Sequence, residues 1–377
     1  MERSTVKATK YYDNLDLLRF FLAVTVIIYH IPAITLTVLH VTLFDKLAIF
    51  HKGAEAVYCF FTLSGYLITR LLIKEKTAFN DINLKLFYMR RILRIWPVYF
   101  LVFIVGMLYY HVVLPKLGVA TKDNYSIPVA ILLCVFFLSN VFQKLFATGS
   151  ILAIMWSIGV EEQFYLVWPV IFKKIKLNNI LLLLLALYLV IFLYNFFNPK
   201  SILLEFRFLF DFMIIGGIAS ILIDRHHQYA TALFLKLWFR IISALLFCIV
   251  FFTSLLSFVQ TWNQQTYDLL CGIISISFII TLTYLPSLKQ LKRATYFGKI
   301  SYSIYMYHMI IVNLVLFIAL KLHFAAHFSA AQLFFIINGL VITITMIAAH
   351  ISYKYFESYF LSLKDKFTKI KSQPSSA

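Results

Sequence analysis

The sequence predicts an all-α, polytopic transmembrane helical bundle of about ten spans, with one further re-entrant or interfacial helix and no soluble domain. Three observations carry this. Hydrophobic residues make up 62% of the chain and charged residues only 13%, against ~25% charged in an average soluble domain. Apolar runs of about 18–23 residues recur along the chain, each long enough to cross a hydrocarbon core. The basic residues cluster between those runs, the pattern of cytoplasmic loops. The short alternating segments of a membrane barrel are absent from the sequence.

Taken in order, eleven apolar segments can be drawn, at roughly 17–39, 55–73, 92–113, 127–146, 156–174, 179–197, 206–223, 237–258, 267–285, 301–321 and 331–353. If all eleven crossed, the tract Lys173-Lys174-Ile175-Lys176 and the 225–240 loop would land outside, against the charge rule. If 127–146 does not cross, 25 Lys and Arg fall inside and seven outside: Lys46, Lys52, Lys116, Lys122, Lys144, Lys200 and Lys321. Arg19 and Arg207 complete the total of 34. The expectation is therefore ten spans with both termini cytoplasmic, and a re-entrant or interfacial helix at 127–146. Residues 1–359 form the membrane domain, and 360–377 a basic cytoplasmic tail. The polar start, Met1 to Lys10, leads directly into a full-length span, so no cleavable signal peptide is expected.

The net charge of +18 is accounted for by these loops and by anionic headgroups, so nucleic acid is not an expected partner; the lipid bilayer is. Cys59, Cys134, Cys248 and Cys271 are scattered through apolar sequence, with neither a metal-ligand spacing nor a disulfide framework.

Chemistry is sought among ionisable groups at membrane depth, which are costly there and mark sites or pathways. Arg19 and His30 lie eleven residues apart in the first span. Eleven residues is ~20° past three helical turns, so both fall on one face, ~16 Å apart along the axis. Asp16, three residues before Arg19, is placed to orient its guanidinium. The plainer alternative is a snorkelling arginine and a packing histidine. In the segment opening Trp156-Ser157, Glu161 and Glu162 come about two turns deep, near the depth of His30. A carboxylate facing His30 would fix its tautomer and stabilise the imidazolium, and only one of two adjacent glutamates can do so. The alternative is that both are solvated in a loop.

A second polar set lies on the inner side: Ser64-Gly65 in mid-span, Arg70 at the rim, then Arg90, Arg91 and Arg94 before Trp96-Pro97. Arg90 and Arg94, one turn apart, suit polyphosphate recognition; ordinary positive-inside anchoring is the alternative. Arg207 and Asp211, at i and i+4, form an expected internal ion pair or a contact for a polar acceptor. Tyr302 and His308, in a stretch of serines and tyrosines, either glue helices or line a donor tunnel.

Five blocks in order then identify a resemblance: L-D-x-L-R with its ten-residue gap to His30, F-F-x-L-S-G-Y-L at 60–67, R-R-x-x-R-x-x-P at 90–97, W-S-x-x-V-E-E-Q-F-Y at 156–165, and S-Y-S-I-Y-x-x-H at 301–308. The chain resembles the bacterial acyltransferase-3 family of integral membrane acyltransferases, which O-acylate cell-surface carbohydrates, from about Asp16 to Tyr353. The resemblance implies location in the bacterial inner membrane and acyl-CoA, with acetyl the expected group, as a donor substrate from the cytoplasm. It implies no permanently bound cofactor, no metal, and a surface carbohydrate or glycolipid hydroxyl as acceptor from outside. It makes His30 the general base, with Arg19 and Glu162 in the catalytic set. The donor- and substrate-binding set is then Arg70, Arg90, Arg91, Arg94, Ser64, Tyr302, His308, Glu161 and Arg207. Departures from the family pattern are Leu17, Phe20 and Gly159, and Met309-Ile310 after the histidine. The fused extracytoplasmic hydrolase-like domain of some members is not expected here. The rival class, a transporter or flippase of a lipid-linked sugar, would predict internal repeats, and the blocks are not duplicated.

Overall fold

The structure is a computed structural model and describes residues 9–39, 47–119, 124–367 and 372–373. Most of the polar start and part of the basic tail, as well as Lys46 and Lys122, lie outside the described residues. The chain runs through α1 (Asp13–Leu39), α2 (Gly53–Phe79), α3 (Leu84–Leu108), α4 (Ile127–Val135), α5 (Ser139–Leu145), α6 (Trp156–Lys174), α7 (Leu177–Phe197) and α8 (Phe210–Arg225). It continues through α9 (His227–Phe234), α10 (Leu237–Phe252), α11 (Ser257–Trp262), α12 (Gln264–Tyr284), α13 (Lys292–Lys299), α14 (Ser301–Lys321), α15 (Ala330–Ser352) and α16 (Ser358–Lys364).

Among the described residues, seven helices are long and apolar enough to cross a membrane: α1, α2, α3, α7, α12, α14 and α15. An eighth forms if α9 and α10, bent by 74°, make one span. The two other predicted spans are also helical but differ in character. Helix α6 carries Glu161, Glu162, Lys173 and Lys174 within 19 residues, and α8 has only 16 residues. Segment 127–146 is not one helix. It breaks into α4 and α5 at Phe137, whose left-handed backbone (φ 56°) an α-helix cannot absorb. The break leaves helices of nine and seven residues, each too short to cross alone.

Local chemistry sets the element ends. Asn80 closes α2 in the left-handed conformation that asparagine tolerates (φ 52°). Asn83 opens α3 by accepting from the Leu86 amide at 3.0 Å. The start of α1 is tied to the end of α12 by Asn14, whose amide donates to the carbonyls of Leu282, Leu285 and Pro286 at 3.0–3.2 Å. The bundle is tightest where α2 crosses α8. A Cβ at Gly65 would overlap the Met213 carbonyl, and one at Gly216 the Thr62 carbonyl. Glycine alone lets the two backbones meet, the small-residue packing by which membrane helices associate.

The basic loops collect at one end of this bundle. Lys76 donates to the carbonyls of Phe172 (2.6 Å) and Ile175 (2.5 Å), Lys173 pairs with Asp81 (3.0 Å), and Arg225 reaches the Leu177 carbonyl (2.5 Å). The chain ends meet there too: Arg90 donates to the Phe367 carbonyl at 3.0 Å, and Thr9–Lys10 pairs in parallel with Ser372–Gln373.

Candidate active site

Helices α1, α2, α3, α6 and α14 enclose an open pocket of about 990 Å³, at the upper end of the size range of small-molecule clefts. It runs along α2 from Leu71 to Val57, that is, from the basic end towards the opposite face. Its polar wall is mostly cationic, with Arg19, Arg91 and Arg94 set against one carboxylate, Glu161.

Each of these groups has a distinct support. Arg19 is held by Asp16, Nη1 to Oδ1 at 2.6 Å, and buried Asp16 also accepts from the Tyr11 hydroxyl. This is the orientation expected from the i, i+3 spacing. Arg91 lies over the Tyr165 ring, 5.6 Å from its centroid, and its buried Nε has no partner among the described residues. Arg94 is exposed, lines the pocket, and makes no hydrogen bond or ion pair among the described residues. Glu161 accepts from both Ser64 and Tyr165. Tyr302 also lines the pocket, its hydroxyl donating to the Ile95 carbonyl at 2.7 Å.

His30 stands just beyond the end of this pocket that lies away from the basic loops. Ser157 and Tyr305, joined hydroxyl to hydroxyl at 2.7 Å, line that end. The Tyr305 ring packs on His308 (centroids 5.6 Å apart), and His308 packs on His30 (5.0 Å). Geometry assigns the ring protons. The Tyr305 carbonyl can only accept, so His308 carries its proton on Nδ1. The Val26 carbonyl, 2.9 Å from His30 Nδ1, requires a proton there as well. His308 Nε2, 3.3 Å from that same nitrogen, is therefore an acceptor for it. Among the described residues His30 Nε2 is left with a free lone pair, the form a general base needs.

Four expectations are corrected. Glu162 does not face His30. It accepts from Trp96 Nε1 at 3.0 Å while its other oxygen is buried without a partner among the described residues, because α6 turns Glu161, not Glu162, into the pocket. Arg90 is not in the pocket and forms no one-turn clamp with Arg94. It is buried and paired with Glu75 of α2 at 3.2 Å, so Arg91 and Arg94 supply the cationic wall of α3. Arg70 also lies off the pocket, donating to the Tyr66 hydroxyl at 2.8 Å and capping the Tyr12 ring. Arg207 and Asp211 do not pair. Helix α8 begins at Phe210, and Arg207 precedes it in a left-handed turn (φ 54°), so helical spacing does not apply. Arg207 instead lies 4.9 Å over the Trp156 ring. The expectation for His308 shifts from donor tunnel to partner of His30. Ser157, Tyr165 and Tyr305 line the site although sequence reading did not single them out. Their signal was membership of the motif blocks, which does not say which way a side chain turns. Among the described residues, no group of three or more His, Cys, Asp or Glu is placed to hold a metal ion.

The model of the acyltransferase-3 family, described as an acyltransferase domain, matches residues 12–349. The chain belongs to this family. It is 26% identical over 97% of its length to the peptidoglycan O-acetyltransferase OatA of Listeria monocytogenes, of which it covers 60%. It is 31% identical over 43% of its length to the O-acetyltransferase OatA of Staphylococcus aureus strain NCTC 8325, of which the match covers 25%. The chain thus spans about 60% of the length of the first of these relatives. No solved structure matches it significantly. For an acyltransferase-3 protein, a pocket with three guanidinium groups at one end and a histidine with a free lone pair beyond the other has a direct chemical reading.

Proposed function

We propose that this chain is a membrane-embedded O-acyltransferase that moves an acyl group, acetyl being the expected one, from cytoplasmic acyl-CoA to a hydroxyl of an extracytoplasmic carbohydrate. The observation that carries the reading is the pocket itself: cationic at the basic end of the bundle and leading to a histidine pair ~16 Å further along α1. Arg91 and Arg94 are placed to bind the phosphates of the donor, because guanidinium groups bind phosphate through paired, charge-assisted hydrogen bonds. The pantetheine arm then extends past Arg19 towards Tyr305. His30 Nε2 takes the proton of the acceptor hydroxyl as its oxygen attacks the thioester carbon. The C–O bond forms, the C–S bond breaks, and the proton passes to the leaving thiolate. His308 holds the His30 ring and accepts from Nδ1–H as the imidazolium forms, the role that sequence reading had given to Glu162. The relatives' names favour a cell-wall glycan as acceptor.

The test is to incubate membranes containing the protein with labelled acetyl-CoA and follow label into glycan. General-base assistance contributes ~10²–10⁴-fold, so His30→Ala should reduce labelling by that factor while the protein remains inserted. Undiminished transfer by His30→Ala would remove the mechanism.

A further inference from the structure

A second cavity, of about 840 Å³, opens at the other end of α2 from the basic loops, between the start of α2, the Ser254–Gln260 stretch and the start of α12. We propose that it seats a neutral sugar unit of the acceptor chain, a deepening that rests on the acyltransferase reading. Four observations converge on this.

The first is charge. The lining Lys52 and Glu55 neutralise each other at 3.0 Å, so the cavity has nothing like the unpaired arginine of the first pocket. It suits an uncharged, hydroxyl-rich ligand rather than a phosphate.

The second is hydrogen-bonding capacity. Gln260 and Gln264 line the cavity and are linked to each other at 3.2 Å, and Gln264 is held by buried Asp268 at 2.8 Å. Each side-chain amide has two protons and two lone pairs, so both keep groups free for sugar hydroxyls, and exposed Ser257 adds a third.

The third is an aromatic wall. Tyr58 lines the cavity and is fixed by stacking on Phe212 at 4.3 Å, and Tyr267 is fixed by donating to Glu55 at 2.6 Å. Half-buried Tyr58 supplies apolar surface for one face of a pyranose, whereas Tyr267, only 2% exposed, serves as wall.

The fourth is position. Gly53 sits between cavity residues Lys52 and Ala54, and a Cβ there would overlap the Tyr29 ring. The cavity wall is therefore packed against the residue preceding His30, so a chain seated in it passes close to the base.

The test uses the full-length, detergent-solubilised protein, with tetrasaccharides of N-acetylglucosamine and of mannose as probes. The variant Ser257→Ala/Gln260→Ala changes only exposed side chains. It should weaken binding of at least one probe about 10-fold, as expected for two neutral hydrogen bonds, with acetyl-CoA affinity unchanged. Equal binding by the wild type and this variant, or binding of neither probe by the wild type, overturns the proposal. His30-dependent acetyl transfer without sugar binding here would sink the cavity alone. Sugar binding that Ser257→Ala/Gln260→Ala abolishes, with no acetyl transfer, would sink the enzymatic reading alone.

Discussion

Replacing His308 with phenylalanine should slow acyl transfer about tenfold without emptying the membrane of protein. His308 is fully buried, and phenylalanine preserves a ring against Tyr305 and His30. It removes the Nε2 lone pair 3.3 Å from His30 Nδ1, along with the Nδ1–H that donates to the Tyr305 carbonyl. A hydrogen bond to a charged group contributes ~1.5–3 kcal/mol. The contact is long, and the Val26 carbonyl at 2.9 Å keeps the shorter share of the same proton, so the lower end applies. At ~1.4 kcal/mol per decade, that is about a factor of ten in kcat. Glutamine at the same position keeps an acceptor oxygen and should retain most of the rate. The double variant His30→Ala/His308→Phe should be no slower than His30→Ala alone, because the second residue acts only through the first. The assay is initial-rate transfer of labelled acetyl in membranes matched for protein content. Wild-type turnover by His308→Phe, or a further tenfold loss in the double variant, would refute this arrangement.

Two arginines four residues apart should behave oppositely. Arg94→Ala, which loses no partner among the described residues, should fold normally and weaken acetyl-CoA binding by about 10–100-fold, the worth of a charge-assisted bond, checked by equilibrium binding. Arg90→Ala should leave donor affinity alone in whatever protein survives. It strands buried Glu75, a loss of ~3–5 kcal/mol, read as a lower melting temperature and reduced yield. Glu162→Gln, which keeps an acceptor for Trp96, should transfer within about fivefold of wild type, since neutral hydrogen bonds contribute ~1 kcal/mol or less; a rate as low as that of His30→Ala would return this carboxylate to the catalytic set. Gly65→Ala should destabilise the bundle by at least ~1–3 kcal/mol through overpacking, because the Met213 backbone opposite has no rotamer by which to retreat. Detergent thermal denaturation measures it.

How far the sequence could be read depended on how local each cause is. Ten apolar stretches became helices because length and composition act within the stretch itself. The charge of the loops marked 127–146 as the odd segment, but its break at Phe137 was not legible. Asp16 and Arg19 were legible as a pair because three residues on one helix fix their separation. Partners on different helices were not. His308 meets His30 only through the packing of α14 on α1, and Arg90 finds Glu75 only because the turn at 80–83 folds α3 back along α2. Adjacent Glu161 and Glu162 differ in role by a rotation of ~100°, which depends on how α6 sits against its neighbours. Arg207 and Asp211 were misread for a simpler reason: a regular helical repeat was assumed three residues before the helix had begun.

The short parallel pairing of Thr9–Lys10 with Ser372–Gln373 has a consequence for how this protein can be altered. The two segments are stitched side by side at the basic end of the bundle, so any insertion or deletion that carries one of them to the opposite end breaks the stitch. Traverses added or removed in pairs leave both segments where they are.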